Sequence, residues 1–244
     1  AYSRLDPAPF LILQAAGVAL SACVALLLKG DKPEAKARGL KAAVNEIGDG
    51  LRYAFRDAVM GPMLWTAAYI GVFVIGAFQV LFPLIVREHY QGGTELLGRM
   101  FAVFFGASFV SAVIVGRLPP MKYPGRALLV SHMLGAVVLA TFAMKKPIEI
   151  FVALVIAWGL GAGVTMSTSR TITQASADPR YLGRVLAIYS MGFMGGAPIG
   201  SLLVGQTAEH FGIAAASLIP AVGLFVASGA LAILSPIWSM ERRI

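Results

Sequence analysis

The run PMLWTAAYIGVFVIGAFQVLFPLIV, Pro62 to Val86, contains no Asp, Glu, Lys or Arg. A helix crossing the hydrocarbon core of a bilayer takes roughly 20 apolar residues, so this stretch predicts a transmembrane helix. Working outward, similar runs follow at Leu96 to Val115, Ala127 to Met144, Ile148 to Thr168, Val185 to Gly205 and Ile213 to Trp238, and one precedes it at Phe10 to Leu28. The prediction is an all-α integral membrane fold of about seven transmembrane helices.

Composition points the same way. The 244 residues are 58% hydrophobic and 13% charged, with a mean hydropathy of +0.78, whereas soluble domains carry about 25% charged residues. A net charge of +8 raises the question of nucleic acid, but the basic residues sit at the ends of apolar runs and form no basic face, so no nucleic-acid partner is expected. The partner to expect is membrane lipid. The single cysteine, Cys23, lies inside an apolar run and excludes a disulfide framework. His89, His132 and His210 are too far apart to share a helix face, so neither a metal site nor a cofactor is expected. An integral membrane enzyme would need a nucleophile, metal cluster or carboxylate pair at accessible depth. The sequence offers none.

Basic residues also predict orientation, because cytoplasmic loops are enriched in Lys and Arg. The segment Lys29 to Gly61, the loops Gly116 to Arg126 and Arg170 to Arg184, and the tail together hold fifteen of the twenty Lys and Arg residues. That side is expected to be cytoplasmic, with the C-terminus on it and the N-terminus opposite. The chain starts at Ala1 without a basic leader, so an odd number of preceding spans is expected. Within the linker, Leu40, Val44, Ile47, Leu51 and Phe55 recur at helical spacing, predicting an amphipathic helix from Leu40 to Ala58 on the membrane surface or against the protein. One span, a linker (29–61) and six close spans (62–244) make the layout of a two-half transporter cut inside its first half.

Charges at midplane depth are absent from the predicted spans, so a proton-titrating carboxylate is expected outside them, where Glu88 and Glu95 lie at a membrane edge, or before Ala1. The polar residues at depth are Gln14, Gln79, Ser108, Ser111, His132, Thr165, Ser167 and Tyr189. Gln79 is the leading candidate for substrate contact, flanked by Phe78 and Phe82 and followed by Pro83, where a bend would suit a gate. Trp158 and Thr165, seven residues apart, share one face of their span and form a second pair. His132 is expected near the cytoplasmic end of its span, since Arg126 marks the preceding loop, with an interfacial hydrogen bond. Gly159, Gly161, Gly163, Gly192, Gly195, Gly196, Gly200 and Gly205 predict close helix packing. Gly196, Ala197 and Pro198 are expected to interrupt the sixth span.

The run ASADPRYLGRVLAIYSMGFMGGAPIGSLLVGQTAEHFG, Ala175 to Gly212, and the segment GDGLRYAFRD, Gly48 to Asp57, resemble major facilitator superfamily exporters of the enterobactin-exporter and macrolide-efflux type. Gly183, Arg184 and Val185 match that group's basic motif, although Leu182 replaces its first Arg. Arg184 carries over as a gate or lipid-headgroup contact. The loop GRLPPMKYPGR, Gly116 to Arg126, is similar to the superfamily's glycine-and-basic loop without its acidic residue; Gly116, Gly125 and Arg126 suit a tight turn.

The resemblance implies that Phe10 to Leu28 ends an N-terminal half and that Pro62 to Trp238 forms the C-terminal six-helix half of a twelve-helix protein. It further implies alternating access by a secondary active exporter in the bacterial inner membrane, extruding a small amphipathic molecule such as a siderophore or drug by proton antiport. The remaining alternatives are an importer or lysophospholipid transporter of the same fold, and a non-transporting membrane partner or sensor.

Overall fold

A computed structural model describes residues 8–27, 48, 51–52, 54–119, 121–178 and 181–241. The chain divides into two compact units, Ala1–Ala43 and Val44–Ile244. In the first unit, helix α1 (Ala8–Leu27) runs 20 residues without a charged side chain. At about 1.5 Å per residue that is about 30 Å, one hydrocarbon thickness.

The second unit is built of long apolar helices: α2 (Met60–Tyr90), α3 (Thr94–Arg117), α4 (Pro124–Thr141), α5 (Ile148–Ser176) and α6 (Leu182–Leu234). All five are long and apolar enough to cross a membrane. Asp57 sets the start of α2 two residues before the predicted Pro62, because its Oδ1 accepts hydrogen bonds from the backbone N–H groups of Val59 and Met60, both at 2.9 Å. Most of the predicted amphipathic helix lies outside the described residues; of its apolar positions, Leu51 and Phe55 are exposed, while Ala54 between them is buried.

At 53 residues α6 would be about 80 Å long, far more than one crossing. Gly212 divides it, with φ 79° and ψ 175°, into limbs 182–211 and 213–234. Together with α1 this gives seven apolar helical stretches, as the hydropathy predicts. A residue with a Cβ is strained in that backbone region by about 1–3 kcal/mol. Gly212→Ala should therefore lower stability by that amount, read as a drop in melting temperature, although no neighbour would meet the new methyl.

Other boundaries also differ from expectation. Helix α5 continues eight residues beyond Thr168, since Ser, Thr and Arg170 lower hydropathy without ending the hydrogen-bond ladder. The last limb stops at Leu234, and residues 235–239 form turns. Gly116 belongs to the final turn of α3, and Gly125 to the first turn of α4 behind Pro124, so neither lies in the loop between them. The prolines also behave differently. Helices continue through Pro83 and Pro198, and the irregularity in α2 is a π turn at Gly71–Ile75, eight or more residues before Pro83.

Helix α2 packs on α6, α3 on α5, and α4 on both α5 and α6. Two crossings bring backbones into contact. A Cβ on Gly71 would sit 2.5 Å from the Phe193 carbonyl oxygen, one on Gly196 would sit 2.8 Å from the Val72 nitrogen, and one on Gly200 would overlap the Val72 carbonyl oxygen. Gly159 and Gly163 of α5 likewise face the Phe104 and Ser108 carbonyls of α3. Small residues permit such approach where lipid supplies no hydrophobic drive. The apolar side chains that remain outside, among them Phe109, Leu202, Phe225 and Ile233, are exposed, as lipid-facing surfaces require.

A separate cluster closes one end. Ile237, fully buried, inserts among Met60, Met63 and Leu64 of α2, Leu128 and Leu129 of α4, Ile172 of α5 and Val185 of α6. Gly125 lets it in: a Cβ there would overlap the Ile237 carbonyl. Arg126 Nε donates to the Trp238 carbonyl at 3.2 Å, and the guanidinium stacks 4.0 Å over Tyr123. Lys122 Nζ lies 3.2 Å from Glu241, and this hydrogen bond holds the ammonium pKa above its ordinary value.

Candidate functional site

Between α2, α3, α4, α5 and α6 lies a cavity of about 520 Å³, within the 300–1,000 Å³ typical of small-molecule sites. Four of the six residues singled out as a substrate pathway line it: Phe78, Gln79, Trp158 and Thr165. Phe78 is the hub of an aromatic wall, 4.5 Å from Phe104 and 5.5 Å from Trp158 between ring centroids. Phe104 and Trp158 are themselves 5.4 Å apart and edge-on. Such offset and perpendicular pairs fix ring orientation by their quadrupoles. Phe105, Phe193, Met166 and Met194 extend the apolar surface.

Phe82 stands one layer back, stacked on Phe78 at 5.3 Å and buried among Phe101, Phe151 and Trp158. Tyr189 is also outside the lining, its hydroxyl 2.6 Å from that of Ser169. The π turn adds a residue to the helical repeat just before Phe78 and Gln79. Gln79 is exposed, with the Ser201 hydroxyl at a long 3.4 Å. Of the other polar residues at depth, Ser108 lines the cavity and Ser111 donates to the Leu160 carbonyl at 2.7 Å.

His132 is where the structure departs most from expectation. It lies in the middle of α4, eight residues or about 12 Å beyond Pro124, not at an interface. Its side chain is buried and lines the cavity, and Nδ1 is 2.7 Å from the hydroxyl of Tyr69 on α2. Nε2 has no partner among the described residues, a situation shared by Thr168 Oγ1 and Ser228 Oγ. Stranding a buried polar atom costs about 1–3 kcal/mol. Sequence reasoning placed His132 by its distance from Arg126, and nothing local signals a partner 63 residues earlier.

The gating candidates fall into two groups. Gly196 and Gly200 are buried at the α2–α6 crossing, while Pro198 on the same limb is exposed. Gly183 has open space around it and Arg184 lies 5.8 Å over the Tyr181 ring. Glu88 and Glu95 are exposed and pair with Arg87 and Arg99 on their own helices. Among the described residues no group of His, Cys, Asp and Glu could hold a metal ion.

A family model described as transmembrane secretion effector matches residues 9–243. The chain belongs to the transmembrane secretion effector family, within the major facilitator superfamily. Relatives of this secretion-effector chain include an uncharacterized MFS-type transporter, YwfA, of Bacillus subtilis, 27% identical over 68% of this chain and 40% of its own length. The multidrug resistance protein MdtG of Dickeya zeae is 33% identical over 65% of this chain and 41% of its own. The chain thus spans about two fifths of the length of these curated relatives. No solved structure matches it. Family membership makes the chain a multi-pass membrane protein of a transporter family, not an enzyme.

Proposed function

We propose that this chain is the solute-binding C-terminal half (62–244), with the helix and linker before it, of a secondary active exporter in a bacterial inner membrane. The observation that carries this reading is the cavity of about 520 Å³ walled by Phe78, Phe104, Phe105 and Trp158, with no Asp, Glu, Lys or Arg in its lining. Such a wall suits a bulky apolar or amphipathic solute held by shape and ring contacts rather than by charge pairing. The similarity to a protein named for multidrug resistance supports export over import. The other half of the protein would complete the pathway, and the two halves would rock around the site, driven by protons entering as solute leaves. The excess of Lys and Arg in alternate loops supports a cytoplasmic C-terminus.

Loss of Nile red, a neutral aromatic dye, from preloaded cells tests the reading. Cells expressing the full-length protein are expected to lose dye faster than cells without it. Thr165→Trp, which places an indole in the cavity, should abolish the difference. Net accumulation of dye would favour an importer, and equal rates in all three strains would remove the transport reading.

A further inference from the structure

Resting on the reading of the cavity as the solute site, the wall around His132 narrows the class of solute. His132 is the one ionisable side chain in that wall, among side chains that are otherwise apolar, amide or hydroxyl. Its ring stands edge-on to Tyr69, centroids 5.6 Å apart and planes at 90°, with Nδ1 2.7 Å from the phenol oxygen. A phenol hydroxyl is a stronger hydrogen-bond donor than a neutral imidazole N–H, so the pairing assigns the O–H as donor and Nδ1 as acceptor. The imidazole proton is thereby left on Nε2, the nitrogen that has no partner among the described residues.

The remaining polar groups of the wall are differently placed. Ser131 spends its hydroxyl on the Ala127 carbonyl at 2.7 Å, Gln79 is exposed, and Ser108 and Thr165 are only half-buried. One turn beyond His132 is Gly135, where a Cβ would come within 3.4 Å of Leu224 and 3.7 Å of the Trp158 indole nitrogen. The histidine therefore sits beside the most aromatic part of the cavity.

We propose that the Tyr69–His132 pair selects aromatic solutes that carry an uncharged acceptor oxygen, such as the carbonyl of an aryl ketone or quinone, with Nε2–H donating to that oxygen. The rings of Phe78, Phe104 and Trp158 hold the solute body, and Tyr69 acts as a positioning residue that fixes the tautomer. Nε2 is sealed behind the wall in this conformation, so the solute reaches it by parting the side chains that cover it. A solute without an acceptor leaves the N–H stranded, which is how a site built for a hydrogen bond discriminates.

The test uses the full-length protein in detergent with two dyes: Prodan, a naphthyl ketone whose emission moves to longer wavelength when its carbonyl accepts a hydrogen bond, and dimethylaminonaphthalene, the same ring system without the ketone. Wild type is expected to bind both and to prefer Prodan. His132→Phe should lower the affinity for Prodan relative to that for the ketone-free dye about tenfold and shift the bound emission to shorter wavelength. His132→Gln, which returns an N–H donor, should recover part of the preference, and Tyr69→Phe should lose part of it. An unchanged ratio of the two affinities in His132→Phe overturns the proposal while leaving the cavity as a solute site. Binding of neither dye by wild type overturns the cavity reading and this inference together.

Discussion

Gly200→Leu is expected to cost more than about 3 kcal/mol and to remove most folded protein, the upper end of what overpacking does. The reason is the atom that the new side chain would meet. A Cβ on Gly200 overlaps the carbonyl oxygen of Val72, and that oxygen is backbone, so no rotamer change relieves the clash. Helices α2 and α6 would have to separate, losing at once the neighbouring contacts of Gly71 and Gly196. Gly205, five residues on in the same limb, has nothing within 4 Å of its would-be Cβ. Gly205→Leu should therefore leave stability unchanged or raise it by up to about 1 kcal/mol through helix propensity. The check is the amount and melting temperature of monodisperse protein in detergent. Equal behaviour of the two variants would show that the crossing is not what holds α2 to α6.

Ile237→Asp is expected to cost about 3–5 kcal/mol, in the range of emptying a fully buried aliphatic site. The side chain is completely enclosed by residues of four helices. A carboxylate there has no partner and does not stay, so the whole turn after α6 leaves its seat. The Arg126 bond to the Trp238 carbonyl goes with it. The loss is therefore capped by the docking energy of the turn, and deleting residues 236–244 should lower the melting temperature by the same amount as the single substitution. Lys122→Gln, which removes the exposed pair with Glu241 and the ammonium contact with the neighbouring Tyr123 ring, should leave the melting temperature where it was. A drop from Lys122→Gln as large as that from Ile237→Asp would mean that charge, not burial, anchors the turn.

The helices were legible because hydropathy reports what lipid demands, and runs such as Pro62 to Val86 leave no other solvent. Hydropathy does not report where a helix ends outside the hydrocarbon, so the polar final turns of α5, around Arg170 and Thr173, were invisible. The proline rule pointed to Pro83 and Pro198 as breaks, yet both sit inside continuous helices, since neighbouring helices absorb the lost bond. The real irregularity, at Gly71–Ile75, coincides with the crossing against Gly196 and Gly200. Two stretches more than a hundred residues apart meet there, and no local signal in either carries the meeting.

The site was half legible for the same reason. Gln79 stood out for its flanking Phe78 and the following Pro83, Trp158 with Thr165 for their seven-residue spacing, and Phe78, Gln79, Trp158 and Thr165 all line the cavity. Phe82 shares a face with Phe78 but lies a turn further along, behind the wall. Tyr69 and His132 meet only in three dimensions. The same is true of Ile237, which read as the end of a span and proved to be the stopper of a four-helix end.

The π turn gives α2 one point at which a change in chain length can be absorbed. It holds one residue more than a regular helix between two anchored stretches: Met60, Met63 and Leu64 on one side, Leu81, Phe82 and Ile85 on the other. Deleting a single residue from 71–75 would let the segment close into an ordinary α-helix with both stretches still seated, whereas a residue lost from a helix without such a turn would rotate one stretch by about 100° and slide it about 1.5 Å against its neighbours. Phe78 and Gln79 would stay in the wall. A related protein one residue shorter at this point would thus present the same surface to its solute, with the missing residue absorbed by the backbone.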